Sequence, residues 1–305
     1  MVIASFHSHR PLVMPDKAMK CRYTILTVCL FLMQVPVSQQ ASYAGEPAST
    51  GTVYTVYVVP QFEQRKLYAV WSPIVEDLKR RTGLNFKLIT TLNVDDFHKA
   101  HAWGEFDFVY VSSYTLTRFH DTQGYIPLVA DAAPISGIVV VRKDSPIKSV
   151  ADLDGKIVAF PSPYSIAASL LVRSDFDQIH HVQITPLNAS THSSVYLHVA
   201  KGLAAAGGGA NKTLQEQSEP IREQLRVIYT TRSFPSHPIA AHPRVPREVR
   251  DKVRDAILAM AGTREGQEML AKVPMTRPIP VTYADYSIMQ GWNLDKYWPA
   301  LPEQH

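Results

Sequence analysis

Four short segments gather hydrogen-bond donors where the surrounding pattern places strand ends: Pro60-Gln61-Phe62-Glu63, Ser112-Ser113-Tyr114, Pro161-Ser162-Pro163-Tyr164-Ser165 and Ala189-Ser190-Thr191-His192-Ser193-Ser194. Three of them put a Ser or Thr at the start of a predicted helix, where hydroxyls cap whatever the protein does. As a set they support a different chemistry. Hydroxyl, imidazole, amide and backbone N–H donors that converge on one crevice can surround an anion without a metal. Nucleophilic catalysis fits less well: Ser165, His192 and an Asp would supply the residue types, but the chain has no G-x-S-x-G elbow, and no enzyme is expected. Histidines raise metal binding as an alternative, through His98-x-x-His101, His180-His181 and His192. His98 and His101 share a helical face, yet no carboxylate cluster accompanies them at suitable spacing. They are expected to be exposed or capping residues, with no metal or cofactor. The run Gly207-Gly208-Gly209, followed by Ala210-Asn211-Lys212, matches neither G-x-G-x-x-G nor a phosphate-binding Gly-Lys-Ser/Thr ending. As a loop, it would let the backbone approach a ligand with Lys212 adding charge, or would be a flexible turn.

The elements that must position these groups alternate. A β-branched run Val53 to Val59 is followed by a helix, a strand Phe86 to Ile89, another helix and a strand Phe106 to Val111. The first helix carries Trp71, Ile74, Val75 and Leu78 at i, i+3, i+4 and i+7, with Ser72-Pro73 suited to an N-terminal turn and Gly83 to a C-cap. A second unit follows Ile138 to Val141: strand Lys156 to Phe160, helix from about Ser165, strand Val182 to Thr185, helix from about His192. A strand near Arg226 to Tyr229 and Pro238 to His242 then lead to a helix after Pro246 with Val249, Val253, Ile257 and Met260 on one face. Alternation of this kind predicts an α/β fold of two lobes, each a mostly parallel sheet flanked by helices. Ligands of open α/β sheets sit at the carboxyl ends of the strands, beside helix N-termini, which is where the four segments fall.

The first 44 residues follow other rules. Lys20 and Arg22 precede an apolar run from Tyr23 to Val37, and Ser42-Tyr43-Ala44 offers a small-residue cleavage site. This is the pattern of an export signal, too short to span a bilayer. Met19 is an alternative start. Both cysteines, Cys21 and Cys29, lie in this segment, so a mature chain beginning near Gly45 has no disulfide, thiolate metal site or cysteine nucleophile. The whole chain carries 31 basic and 27 acidic residues; without the four basic and one acidic residues of the leader the balance is near +1. No basic run with interleaved aromatics occurs, so nucleic acid is not an expected partner.

Over the mature chain the sequence resembles the periplasmic phosphate/phosphite/phosphonate-binding proteins, type II solute-binding proteins of ABC transporters. The residues that carry the resemblance are Val59-Pro60, Leu67, Trp71-Ser72-Pro73 and Thr82-Gly83; Asp107 to Tyr110; Arg142 to Pro146 with Asp152 to Lys156; Phe160 to Ser165; and His192 with Val195 and Val199. It implies a two-lobed type II periplasmic binding protein, with lobe one from 45–135 plus 240–305 and lobe two inserted as 136–239. It also implies closure about Ile135 to Gly137 and Thr231 to Pro235. The ligand oxygens would meet Ser165, His192, and Tyr110, Ser112 or Ser113. Where phosphonate-binding relatives carry Ser-Thr-Ser-Gly, this chain reads Ser165-Ile166-Ala167-Ala168, so Tyr164, Ser162 and backbone N–H groups would substitute. Where such relatives hold an amine with carboxylates, it reads Gly207 to Lys212 and Ser236-His237. A Lys or His there would repel an ammonium, which points to a small oxyanion without a cationic tail. The resemblance further implies a monomer in the periplasm with an ABC permease as partner, or a sensor of the arsenite-sensing kind with a membrane histidine kinase. Candidate ligand contacts are Gln61, Tyr110, Ser112, Ser113, Ser162, Tyr164, Ser165, His192, Ser193, Lys212 and His237, and protonation of His192 would favour binding at mildly acid pH.

Overall fold

The chain's fold is described from a computed structural model that covers residues 51–300 except Phe62 and Leu92; the expected leader lies outside the described residues. Strand β1 (Val53–Val58) leads to helix α1 (Gln64–Thr82), β2 (Asn85–Thr90), α2 (Val94–Ala102), β3 (Phe108–Tyr110), α3 (Ser113–Arg118), α4 (His120–Gln123) and β4 (Ile126–Asp131). Then come β5 (Gly137–Arg142), β6 (Ile157–Phe160), a π-helical turn (Ile166–Leu170) running into α5 (Leu171–Gln178), β7 (Thr185–Asn188), α6 (His192–Ala200), β8 (Ala206–Ala210), α7 (Asn211–Gln215), α8 (Glu219–Arg222) and β9 (Leu225–Thr230). The chain continues through β10 (Ile239–Ala241), α9 (Arg247–Met260), α10 (Arg264–Lys272) and β11 (Pro278–Pro280), and closes with 3-10 turns to Tyr297.

Two sheets result, ordered β11-β4-β10-β3-β1-β2 and β7-β6-β8-β5-β9. Each is parallel in one half, β2-β1-β3 and β7-β6-β8, and antiparallel in the other. In each, the strand the chain enters after crossing from the other sheet, β5 or β10, inserts antiparallel beside the last of the three parallel strands. The two crossing segments pair with one another: Ile135 and Phe234 exchange backbone hydrogen bonds at 2.9 Å, and the Gly137 N–H donates to Thr231 Oγ1 at 2.8 Å.

Burial explains where the elements fall and where the sequence misleads. Helix α1 buries Leu67, Trp71, Ile74, Val75 and Leu78, and Gly83 ends it at φ 69°, donating to the Lys79 carbonyl. It begins at Gln64, so Pro73 lies inside the helix and not in its first turn. Burying Leu67 and Trp71 outweighs the roughly 3 kcal/mol that an interior proline costs. Helix α9 buries Val253, Ile257 and Met260 as its spacing predicts. Strand β7 lies at Thr185–Asn188, later than the expected Val182 to Thr185. Val182 instead closes the end of α5, its N–H donating to the Phe176 carbonyl, after His181 turns with φ 54°. As an edge strand, β7 is free to be polar and to hold Pro186.

The largest departure is Gly207-Gly208-Gly209. It is neither loop nor turn; it is the buried body of β8, in the middle of its sheet. A Cβ on Gly208 would lie 1.9 Å from the Ala168 carbonyl oxygen, one on Gly207 2.5 Å from Val195 Cγ1, and one on Gly209 2.1 Å from the Tyr196 hydroxyl. Gly137 of β5 meets the Ala167 carbonyl oxygen in the same way, at 1.9 Å. Glycine is required because the π-helical turn rests on the sheet backbone to backbone, while the Val195 and Tyr196 side chains of α6 fill the space that a Cβ on Gly207 or Gly209 would need.

Candidate ligand-binding site

Strand pairing fixes which loops face one another. Tyr110 at the end of β3 pairs with Ile239 at the start of β10, and Ile239 pairs with Val129 near the end of β4. In the other sheet Gly137 at the start of β5 pairs with Ala210 at the end of β8, and Phe160 with Asn188. Residues 132–136 join these two ends and can span at most about 20 Å. Two groups of polar side chains therefore sit on facing sheet ends.

The first group is built on β3, α3 and the second crossing. Tyr110 is buried against Trp71, ring centroids 5.0 Å apart. Its hydroxyl closes no hydrogen bond of ordinary geometry among the described residues, although the Gln61 side chain lies beside it; burial pushes its pKa up. Ser112 is committed to capping α3, its Oγ accepting from the Thr115 N–H and touching Thr115 Oγ1 at 2.6 Å. Ser113 is fully buried and donates to the Pro235 carbonyl at 2.6 Å, tying α3 to the crossing segment. The same hydroxyl oxygen lies 3.4 Å from His237 Nδ1. Burial alone lowers the His237 pKa to about 4.

The second group is built on the helix starts that follow β6 and β7. Ser165 caps the π-helical turn, its carbonyl accepting from both the Ser169 and Leu170 N–H groups at 2.9 Å and its Oγ facing the Ala168 N–H at 3.4 Å. Ser162 Oγ accepts from the Tyr164 N–H. Thr191 caps α6 by accepting from the Ser194 N–H, which leaves His192 as the first helical residue and Ser193 exposed. His192 Nδ1 lies 3.4 Å from Thr213 Oγ1, itself 2.7 Å from the Tyr196 hydroxyl. Burial lowers the His192 pKa to about 4, so the unliganded imidazole stays neutral at mildly acid pH, and any gain from protonating it begins lower than expected. Thr213 and Tyr196 were not singled out in the sequence. The spacing of Tyr196 four residues after His192 was the available signal. Lys212 is exposed on α7, beyond the buried end of β8.

Tyr164 is engaged elsewhere. Its hydroxyl donates to Asp95 Oδ1 of α2 at 2.5 Å, and its ring packs against His98 and Trp298, at 4.5 and 5.0 Å between centroids. It thus links the helix start after β6 to the first sheet's layer. The last described turns make a further link: Asp295 pairs with Arg118 and accepts from the Tyr114 hydroxyl, while Lys296 and the Tyr297 hydroxyl reach Asp177 of α5 and Arg173 donates to the Tyr297 carbonyl.

His98 and His101 are not exposed. Both are buried among Phe97, Phe106, Tyr125, Tyr164 and Trp298, with ring nitrogens that find no partner among the described residues. Their pKa values fall to about 3, first through burial, then through Arg118 for His98 and through His98 and His242 for His101. No cluster of three His, Cys, Asp or Glu placed to hold a metal occurs among the described residues.

Against known proteins, residues 56–286 match the family model of the periplasmic substrate-binding protein of phosphonate ABC transporters. The chain belongs to this family. No curated protein matches the sequence. Among solved structures, this phosphonate-family chain resembles a binding component of a phosphonate ABC transporter from Pseudomonas aeruginosa. Identity is 17%, over 81% of this chain and 87% of that one, at a TM-score of 0.69. It also resembles PhnD1 from Prochlorococcus marinus in complex with methylphosphonate, at 14% identity over 80% and 98% of the two chains and a TM-score of 0.70. An ATP-bound protein of Xanthomonas citri is similar at 15% identity, 81% and 98% coverage and a TM-score of 0.67. These likenesses carry the two-lobed fold of periplasmic binding proteins. Members of the family bind a small ligand for an ABC permease, and none of the described helices is long and apolar enough to cross a membrane.

Proposed function

We propose that this chain is the receptor that delivers a small oxyanion without a cationic tail, of the phosphate, phosphite or simple phosphonate kind, to an ABC permease. Lobe one would be 45–135 plus 240–305 and lobe two 136–239, closing about Ile135 to Gly137 and Thr231 to Pro235. Ser165, His192 and backbone N–H groups would meet the anion from lobe two, Tyr110 and Gln61 from lobe one, and His237 from the chain just after the second crossing segment, where it lies beside Ser113. The observation that carries this reading is the neutral, donor-rich surface that Tyr110, His237 and the end of β4 form together. His237 stands where an ammonium would need a carboxylate, and Asp131 at the end of β4 is already held by the Ala133 and Arg277 N–H groups at 2.8 Å and by Thr276 at 3.2 Å. The methylphosphonate complex of PhnD1 supports the same ligand class. A sensor for a membrane histidine kinase would use the same cleft and is separated from a transporter by loss of oxyanion uptake on deletion.

Thermal unfolding of the mature protein with phosphate, phosphite, methylphosphonate and 2-aminoethylphosphonate tests the reading. A ligand at a hundredfold excess over its Kd stabilises the folded state by about 2.7 kcal/mol, a shift of several degrees. The tail-free oxyanions are expected to give it and 2-aminoethylphosphonate is not; the reverse order, or no shift at all, refutes the reading. Replacing His192 by Ala removes one buried donor, worth roughly 1 to 3 kcal/mol, and should weaken anion binding tenfold or more. Unchanged affinity by calorimetry would remove His192 from the site.

A further inference from the structure

The hydrogen bonds around Ser113 fix the proton on His237. A carbonyl oxygen only accepts, so the single proton of the Ser113 hydroxyl lies on its 2.6 Å bond to Pro235 O. The Ser113 oxygen then offers His237 Nδ1 a lone pair at 3.4 Å, and Nδ1 must carry the imidazole proton. A neutral ring has no second proton, which leaves Nε2 an acceptor. The Tyr110 ring lies 6.0 Å from the His237 ring between centroids, and its hydroxyl, a donor, is buried without a partner of ordinary geometry. An adjacent donor and acceptor match a P–O–H group: its oxygen accepts from Tyr110 and its hydrogen goes to Nε2. A fully ionised oxyanion offers only acceptors and would confront the bare nitrogen.

We propose that the site takes up its oxyanion together with one proton, and that His237 Nε2 is the atom that demands it. The favoured ligands are singly protonated tetrahedral oxyanions; a dianion enters only if the imidazole gains a proton in the complex, with the same net uptake. This rests on the oxyanion reading above. The charged and titratable groups of the packed elements do not supply the proton. Asp131 of β4 is held by backbone N–H groups, Tyr110 of β3 is neutral, and the Tyr286 hydroxyl of the C-terminal turns donates to the Ser236 carbonyl. Nothing but burial acts on the ring, which in the free protein is neutral above about pH 4.

The test is calorimetric titration of the mature protein with methylphosphonate between pH 6 and 9, in buffers of different ionisation enthalpy, for the wild type and His237→Asn. Asn can turn either a donor or an acceptor to the ligand. For the wild type, Kd should rise about tenfold per pH unit above the second ionisation of the ligand, with uptake of about one proton. His237→Asn should flatten that slope. A flat wild-type profile with binding intact overturns the proposal, as does an equally steep profile in His237→Asn. Absence of binding by methylphosphonate, phosphite and phosphate at every pH overturns the oxyanion reading itself.

Discussion

Gly208→Ala is expected to destabilise the protein by about 3 kcal/mol and to abolish anion binding at ligand concentrations that saturate the wild type. The added methyl would sit 1.9 Å from the Ala168 carbonyl oxygen and 2.9 Å from Phe160 Cδ1. A side chain could swing aside; the Ala168 oxygen belongs to a helix backbone and cannot move unless the π-helical turn moves with it. That turn carries the Ser165 cap, so strain at the sheet is transmitted to the helix start proposed to meet the ligand. Gly291→Ala is the control, with nothing within 4 Å of the added Cβ, and should change stability by no more than about 0.5 kcal/mol. Urea unfolding of both variants measures the difference. A Gly208→Ala protein as stable as Gly291→Ala would show that the turn does not rest on the sheet.

Acid should unfold the protein through His98 and His101 before its carboxylates are protonated. Both titrate near pH 3 when folded and near 6.5 in an open chain, so the unfolded state binds more protons between those values. Stability from this pair is complete above pH 6.5 and falls as the pH drops toward 3. At pH 4.5 the loss is about 2 to 3 kcal/mol for each ring, or ~5 kcal/mol for the pair. His192 and His237, near pH 4, add in the same direction. The double variant His98→Phe/His101→Phe keeps an aromatic ring at both places and removes the titration. Its unfolding midpoint should fall much less than that of the wild type between pH 7 and 4.5. An equal fall in both proteins would assign acid sensitivity to other groups.

Elements whose own side chains build the core could be read from the sequence. Trp71, Ile74, Val75 and Leu78 announced α1, and Val253, Ile257 and Met260 announced α9, because periodic burial leaves a periodic pattern. Strand β8 left none. Its place in the core is set by what its neighbours need, and a run of glycine reads as a turn until the helices packed on it are known. His98 and His101 misled for the same kind of reason: their burial depends on Tyr125 and Trp298, distant in the chain. At the candidate site the hydroxyl-bearing segments were legible, but not the division of labour within them. Ser112 and Thr191 are spent on caps, and Thr213 stands beside His192 across 21 residues of sequence. A hydroxyl's partner is decided by backbone placement, which no local motif encodes.

The C-terminal turns have a mechanical consequence. Two crossing segments paired at Ile135 and Phe234 form a narrow ribbon, and a ribbon both bends and twists. Asp295, Lys296 and Tyr297 fasten α3 to α5 away from that ribbon. A third anchor off the ribbon's axis opposes twisting far more than bending. In the proposed closure the two lobes would be left with close to one degree of freedom, so each stroke would bring the same atoms face to face.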